Sequence, residues 1–157
     1  VLAGTFEGTI EYDPANPLTA GSSDAFSLSM TFEGAVEGVA AIGGSGAQRG
    51  LDASFDLVEG APVVLGGAFS GATMLGDETL NAADDAEDGF VAYYAARIGA
   101  PLAFATRIGG DGVQSVHATA LLEGEILVVG AFSDTLVLEG PHPSAGGRDA
   151  FIARIRP

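Results

Sequence analysis

The 157-residue chain reads as all-β, built from antiparallel four-stranded units. Three observations carry this. Phe6, Phe69 and Phe132 stand 63 residues apart in both steps, each two residues after a glycine, and a fixed period of that size marks a repeat architecture. The runs leading into them are short, apolar and closed by glycine, the last two being rich in β-branched residues. The chain holds 24 glycines and 7 prolines, a supply suited to many tight turns.

The elements follow in order. Residues 1–4, 63–67 and 126–130 are the opening runs, and each reads as a strand buried on both faces. The next stretch is turn-rich, with Asp13-Pro14-Ala15-Asn16-Pro17 in one copy and Gly140-Pro141-His142-Pro143 in another. Prolines at that density forbid a helix and interrupt a ladder. A second motif comes next: Asp24-Ala25-Phe26, Asp88-Gly89-Phe90 and Asp149-Ala150-Phe151. The strands it opens alternate apolar and polar residues, cleanly in the first copy.

A third motif closes the unit, Ile42-Gly43-Gly44-Ser45-Gly46-Ala47-Gln48 and Ile108-Gly109-Gly110-Asp111-Gly112-Val113-Gln114. Strands are expected before it (38–42, 102–108) and after it (51–58, 116–122). Glu59-Gly60 and Glu123-Gly124 then turn the chain back. The alanine-rich residues 92–103 are cut by Gly99 and Pro101, so no helix is expected. The chain divides into one repeat domain with units at roughly 1–62, 63–125 and 126–157. Four short antiparallel strands per unit describe a β-propeller blade. A β-sandwich is the alternative, although it would not require a strict period.

The pattern of apolar strand, Gly-x-Phe-Ser, Asp-Ala-Phe and Gly-Gly-x-Gly is similar to the bacterial β-propeller repeat known as the SBBP repeat. Residues 22–26 and 146–151 match it best. Residues 83–90 depart from it with a longer acidic loop. The resemblance covers nearly the whole chain and implies an extracellular or cell-surface bacterial protein, with no shared catalytic residues. A closed propeller takes at least about four blades, and this chain carries about two and a half. It is therefore expected to be a fragment of a longer chain or to form a homo-oligomer. Two copies would supply about five blades.

The formal charge is -15, and all six basic residues are arginines. Such a surface repels phosphate backbones and anionic headgroups, which argues against nucleic-acid and membrane partners. The chain has no cysteine, which removes disulfides and thiolate chemistry. No apolar run approaches the roughly 20 residues of a membrane-spanning helix. The opening lacks a signal peptide, as expected of a mature or excised piece.

Few residues invite chemistry. Asp24, Asp88 and Asp149 recur before a strand, where aspartate commonly accepts a backbone N–H. Asp84, Asp85, Glu87 and Asp88, with Asp77 and Glu78 nearby, form the one acidic cluster that offers calcium several oxygens. Their spacing matches no EF-hand loop. The glycine turns lack the lysine and following helix of a phosphate loop. His117 and His142 have no spacing that demands zinc, and Ser70, Ser133-Asp134 and His117 make no recognisable triad. With no tryptophan, Tyr12, Tyr93 and Tyr94 are the only polar aromatics for a sugar platform. The expected role is a non-catalytic structural or protein-interaction scaffold, with no obligate cofactor. A calcium- or carbohydrate-binding (lectin-like) module is the alternative. An enzyme using channel carboxylates such as Asp52 and Asp56 stands third.

Overall fold

The computed structural model describes residues 1–55, 60–83 and 86–157, and among them only strands, bridges, bends and turns occur. The first sheet is β1 (Leu2–Ile10), β2 (Leu18–Met30) and β3 (Val36–Ile42), in that order. The middle sheet centres on β4 (Gln48–Phe55), β5 (Val63–Ser70), β8 (Glu87–Tyr94) and β9 (Leu102–Asp111). The third is β10 (Gln114–Leu122), β11 (Glu125–Phe132) and β14 (Asp149–Ile155). Two small hairpins, β6 (Ala72–Leu75) with β7 (Glu78–Asn81) and β12 (Thr135–Val137) with β13 (Pro141–Pro143), follow β5 and β11. Every pairing is antiparallel, and no sheet closes on itself among the described residues.

The three sheets share one register. Gly4 faces Phe26, Gly67 faces Phe90 and Gly130 faces Phe151 across neighbouring strands. Two residues on, Phe6, Phe69 and Phe132 face Asp24, Asp88 and Asp149. The glycine is needed because the partner ring lies over it. A Cβ at Gly67 would sit 2.6 Å from the Phe90 ring and 2.1 Å from the Arg49 carbonyl oxygen. At Gly130 the Phe151 ring would be 2.5 Å away. Each ring then meets the next phenylalanine of the opposite strand, with centroids 5.9, 6.5 and 6.4 Å apart in the three sheets. Tilted and edge-on pairs of this kind contribute about 0.5–1.5 kcal/mol beyond the area they bury.

The middle sheet is buried on both faces. One side packs Val63, Leu65, Phe69, Phe90 and Tyr94 against Ala25 and Ile42 of the first sheet. The other packs Val64 and Val91 against Val116, Ile126 and Phe132 of the third. The adjacent valines Val63 and Val64 thus belong to opposite cores, as the two-residue alternation of a strand requires. Between β4 and β10 the contact is polar: Thr119 donates its backbone N–H and hydroxyl to Asp52 at 2.7 and 2.8 Å, and its hydroxyl also meets that of Ser54 at 2.9 Å.

Two expectations change. Burial on both faces holds for the run at 63–67 but not for those at 1–4 and 126–130, because the end sheets have a neighbour on one side only. The turn-rich stretches also hold hairpins. Pro141 and Pro143 lie in β13, which pairs only with β12, and proline is tolerated on such an edge because no ladder needs its missing N–H. The hairpins tie consecutive sheets. Gly44, after β3, bridges to Thr73 of β6, and Gly110 of β9 pairs with Leu136 of β12.

Gly67→Ala is expected to destabilise the chain by about 1–3 kcal/mol, the usual cost of overpacking. Gly21→Ala, where an added Cβ meets nothing within 4 Å, should stay within about 0.5 kcal/mol. Urea unfolding measures both, and equal effects would contradict the packing of ring on glycine.

Candidate functional site

The repeated aspartates sit midway along β2 and at the start of β8 and β14, opposite the phenylalanines that anchor the sheets. Asp88 is fully buried. Its Oδ2 accepts the Ala83 N–H at 3.0 Å and an Arg107 Nη1 proton at 3.1 Å. Burial still lifts its carboxyl above the ordinary range, outweighing the Ala83 amide and the Arg107 charge. Asp149 accepts the Ala145 N–H at 2.6 Å. Asp24 is buried, which raises its pKa against the opposing pull of the Gly21 amide. In Asp88 and Asp149 the carboxylate holds the loop before its own strand, the turn role that aspartate fills through backbone N–H groups, whereas Asp24 reaches back to Gly21 within β2.

The glycine turns are equally occupied. The Ser45 amide donates to the Ala72 carbonyl and the Ala47 amide to the Ser70 hydroxyl. In the next copy the Val113 amide donates to Ser133 Oγ at 3.0 Å. Buried Gln114 donates from Nε2 to the carbonyls of Asp111, Ser133 and Thr135, at 2.6, 3.4 and 3.3 Å. Gln48 does the same for Gly46 at 2.9 Å. Ser70 and Ser133, which follow the second and third Gly-x-Phe motifs, and the glutamine after each glycine turn therefore hold the turns between consecutive sheets. These amides are spent on the fold, and no phosphate cradle is left in them.

Within the acidic cluster, Asp84 and Asp85 lie outside the described residues. Glu87 receives Arg49 in a two-pronged pair, 2.9 Å from Nε and 2.5 Å from Nη2, and Asp88 is held as above. Among the described residues no three His, Asp or Glu side chains converge to hold a metal. Asp52 is engaged by Thr119, and Asp56 lies outside the described residues. Tyr94 is buried in one core and Tyr93 packs against the other, so neither offers an open stacking face.

One grouping went unnoticed in the sequence. The Ser115 hydroxyl lies 2.8 Å from His117 Nε2 and accepts from Arg148 Nη2 at 2.9 Å. Arg148 comes from β14's approach, 33 residues away, and no local spacing announces the contact. Register explains it: Gln48 and Gln114 both face the motif phenylalanine, so Ser115 stands where Arg49 stands one sheet earlier. Arg148 likewise stands where Glu87 does, one residue before the motif aspartate. A serine–histidine contact without a carboxylate on the far ring nitrogen lacks the orienting partner of a nucleophilic triad.

Two open grooves lie on the surface. One, of about 720 Å³, is lined among others by Met30, Phe32, Glu37, Phe55 and Arg97. The other, of about 550 Å³, runs past Arg107, Val137, His142 and Ile152. No family model matches the chain, and no curated protein or solved structure matches it.

A carboxyl with a raised folded-state pKa binds its proton more tightly folded than unfolded. Its contribution to stability is complete below the unfolded value, about 3.9, and is lost as pH rises through the folded value. Asp24→Asn removes that loss. Its stability relative to the native chain should improve as pH rises above about 4 and level off once the folded-state carboxyl has ionised, read from urea midpoints across the range. A difference that does not move with pH, or that moves the other way, would show that burial does not perturb Asp24.

Proposed function

We propose that this chain is a non-catalytic β-repeat module, consecutive blades of a propeller-type assembly, that serves as a structural or protein-interaction scaffold outside a bacterial cell. The observation that carries the reading is where the recurring polar residues spend their hydrogen bonds. Asp88 and Asp149 hold the loops before their own strands, and Gln48, Gln114, Ser70 and Ser133 hold the turns that join one sheet to the next. A residue present in every unit of a repeat protein commonly serves the unit itself. Supporting the blade reading are the shared register, the face-to-face stacking and the hairpins that join one sheet to the next. The similarity of the motifs to the SBBP repeat supports the bacterial surface location. The six acidic residues among 1–48, with no basic residue there, suit a solvated exterior.

The calcium reading makes the opposite forecast for one measurement. In the scaffold reading the melting temperature is the same in excess calcium and in chelator. A ligand bound at 100 times its Kd would add about 2.7 kcal/mol and raise it by several degrees. A calcium-dependent rise that Asp84→Asn/Asp85→Asn abolishes would transfer function to the acidic loop.

A further inference from the structure

The stacking direction leaves two unlike faces open. Each sheet turns its phenylalanine face to the sheet before it: Phe69 and Phe90 point at the first sheet, Phe132 and Phe151 at the middle one. The other face offers branched or small residues, and in the middle sheet Val64, Gly66 and Val91 receive the third sheet. Among the described residues no sheet stacks on the phenylalanine face of the first sheet: Phe6 is buried at 8% against Phe26, while Leu2 at 52% exposure and Met30 at 40% stand open. The third sheet has its receiving face uncovered. There Val129 pairs with Ile152 as Gly66 pairs with Val91 in the middle sheet. Val91 is fully buried, whereas Ile152 is 77% exposed and Val129 41%.

We infer that the third sheet of one copy docks on the first sheet of a second copy, head to tail, repeating the contact that already joins the sheets within the chain. The occupant is another copy because each open face is the counterpart of a face that the chain buries against itself. Charge points the same way. Residues 1–48 carry six acidic and no basic residues, whereas Arg148, Arg154 and Arg156, half of the chain's arginines, lie in the last ten residues. Arg154 and Arg156 both pair with Glu125, and with Glu123 in the adjoining turn that edge is balanced in charge, unlike the acidic first sheet. Like-charged copies of a chain at -15 repel at long range, and an acidic end meeting a charge-balanced edge is the orientation that adds least to this. Because the two faces differ, the contact is heterologous and propagates until a ring closes.

This rests on the reading of the chain as an assembling structural module, and it names the partner and the faces. Leu2→Glu disables the phenylalanine face and Ile152→Glu the receiving face. Both positions are exposed in the single chain, and circular dichroism checks that the fold persists. Light scattering should give the native chain a mass that is an integer multiple of 15.7 kDa, and each variant alone the mass of one chain. An equimolar mixture of the two variants retains one good face on each partner. It should form a pair of twice that mass. A native monomer, variants that still assemble, or a mixture that stays monomeric would each overturn the inference. A calcium-dependent melting shift would instead remove the scaffold reading and leave this mass experiment as it stands.

Discussion

Everything in this fold depends on a ring lying over a glycine. In each sheet the phenylalanine after the motif aspartate covers the glycine of the strand beside it, where a Cβ would meet the ring at 2.5–2.8 Å. A glycine in a strand is weak by itself, since it packs nothing and loses the most entropy on ordering. The covering ring offsets that loss and at the same time favours one register, because a slip of one residue would put a side chain under the ring in the end sheets, and so would a slip to Ala68 in the middle one. The second phenylalanine, two residues on, then finds the first at about 6 Å. Register, face and aromatic pairing are therefore a single constraint, imposed three times.

From that constraint comes the asymmetry of the stack. A strand that places glycine and phenylalanine on one face puts the intervening residues on the other. Every sheet consequently has an aromatic face and a branched face, and sheets stack with one polarity. The middle sheet shows both faces in use, its opening strand buried from Val63 to Phe69. The end sheets show each face without its counterpart. Polarity of this kind directs association towards rings or filaments and away from symmetric pairs.

The all-β class, most of the strands and the shared motif positions were legible in the sequence, because strand alternation and a 63-residue period survive without any contact map. Other features were not. The hairpins at Ala72–Asn81 and Thr135–Pro143 are short, and prolines mask the second. The uneven burial of the opening runs depends on how many neighbours a sheet has, which no local pattern carries. The polar functions followed the same divide. That Asp88 and Asp149 would hold backbone amides was readable from turn chemistry. Their company was not: Arg107 is brought to Asp88 by strand pairing, and Arg148 to Ser115 across 33 residues.

Where the repeat is kept, its residues are consumed by the fold, and where it is broken, they are free to differ. At one pair of positions the middle sheet places Arg49 and Glu87, an ion pair that neutralises itself at the surface. The third sheet places Ser115 and Arg148 there, with His117 alongside. The exchange leaves a cation with no carboxylate facing it at that point, one sheet from a neutral equivalent. With Arg154 and Arg156 it makes one end of an acidic stack less acidic than the other. A surface exchange of this kind costs the fold little, since exposed ion pairs contribute about 0.2–1 kcal/mol, yet it gives the two ends of the stack unequal charge. The departures from the repeat, more than the repeat itself, are thus what distinguish one end of this molecule from the other.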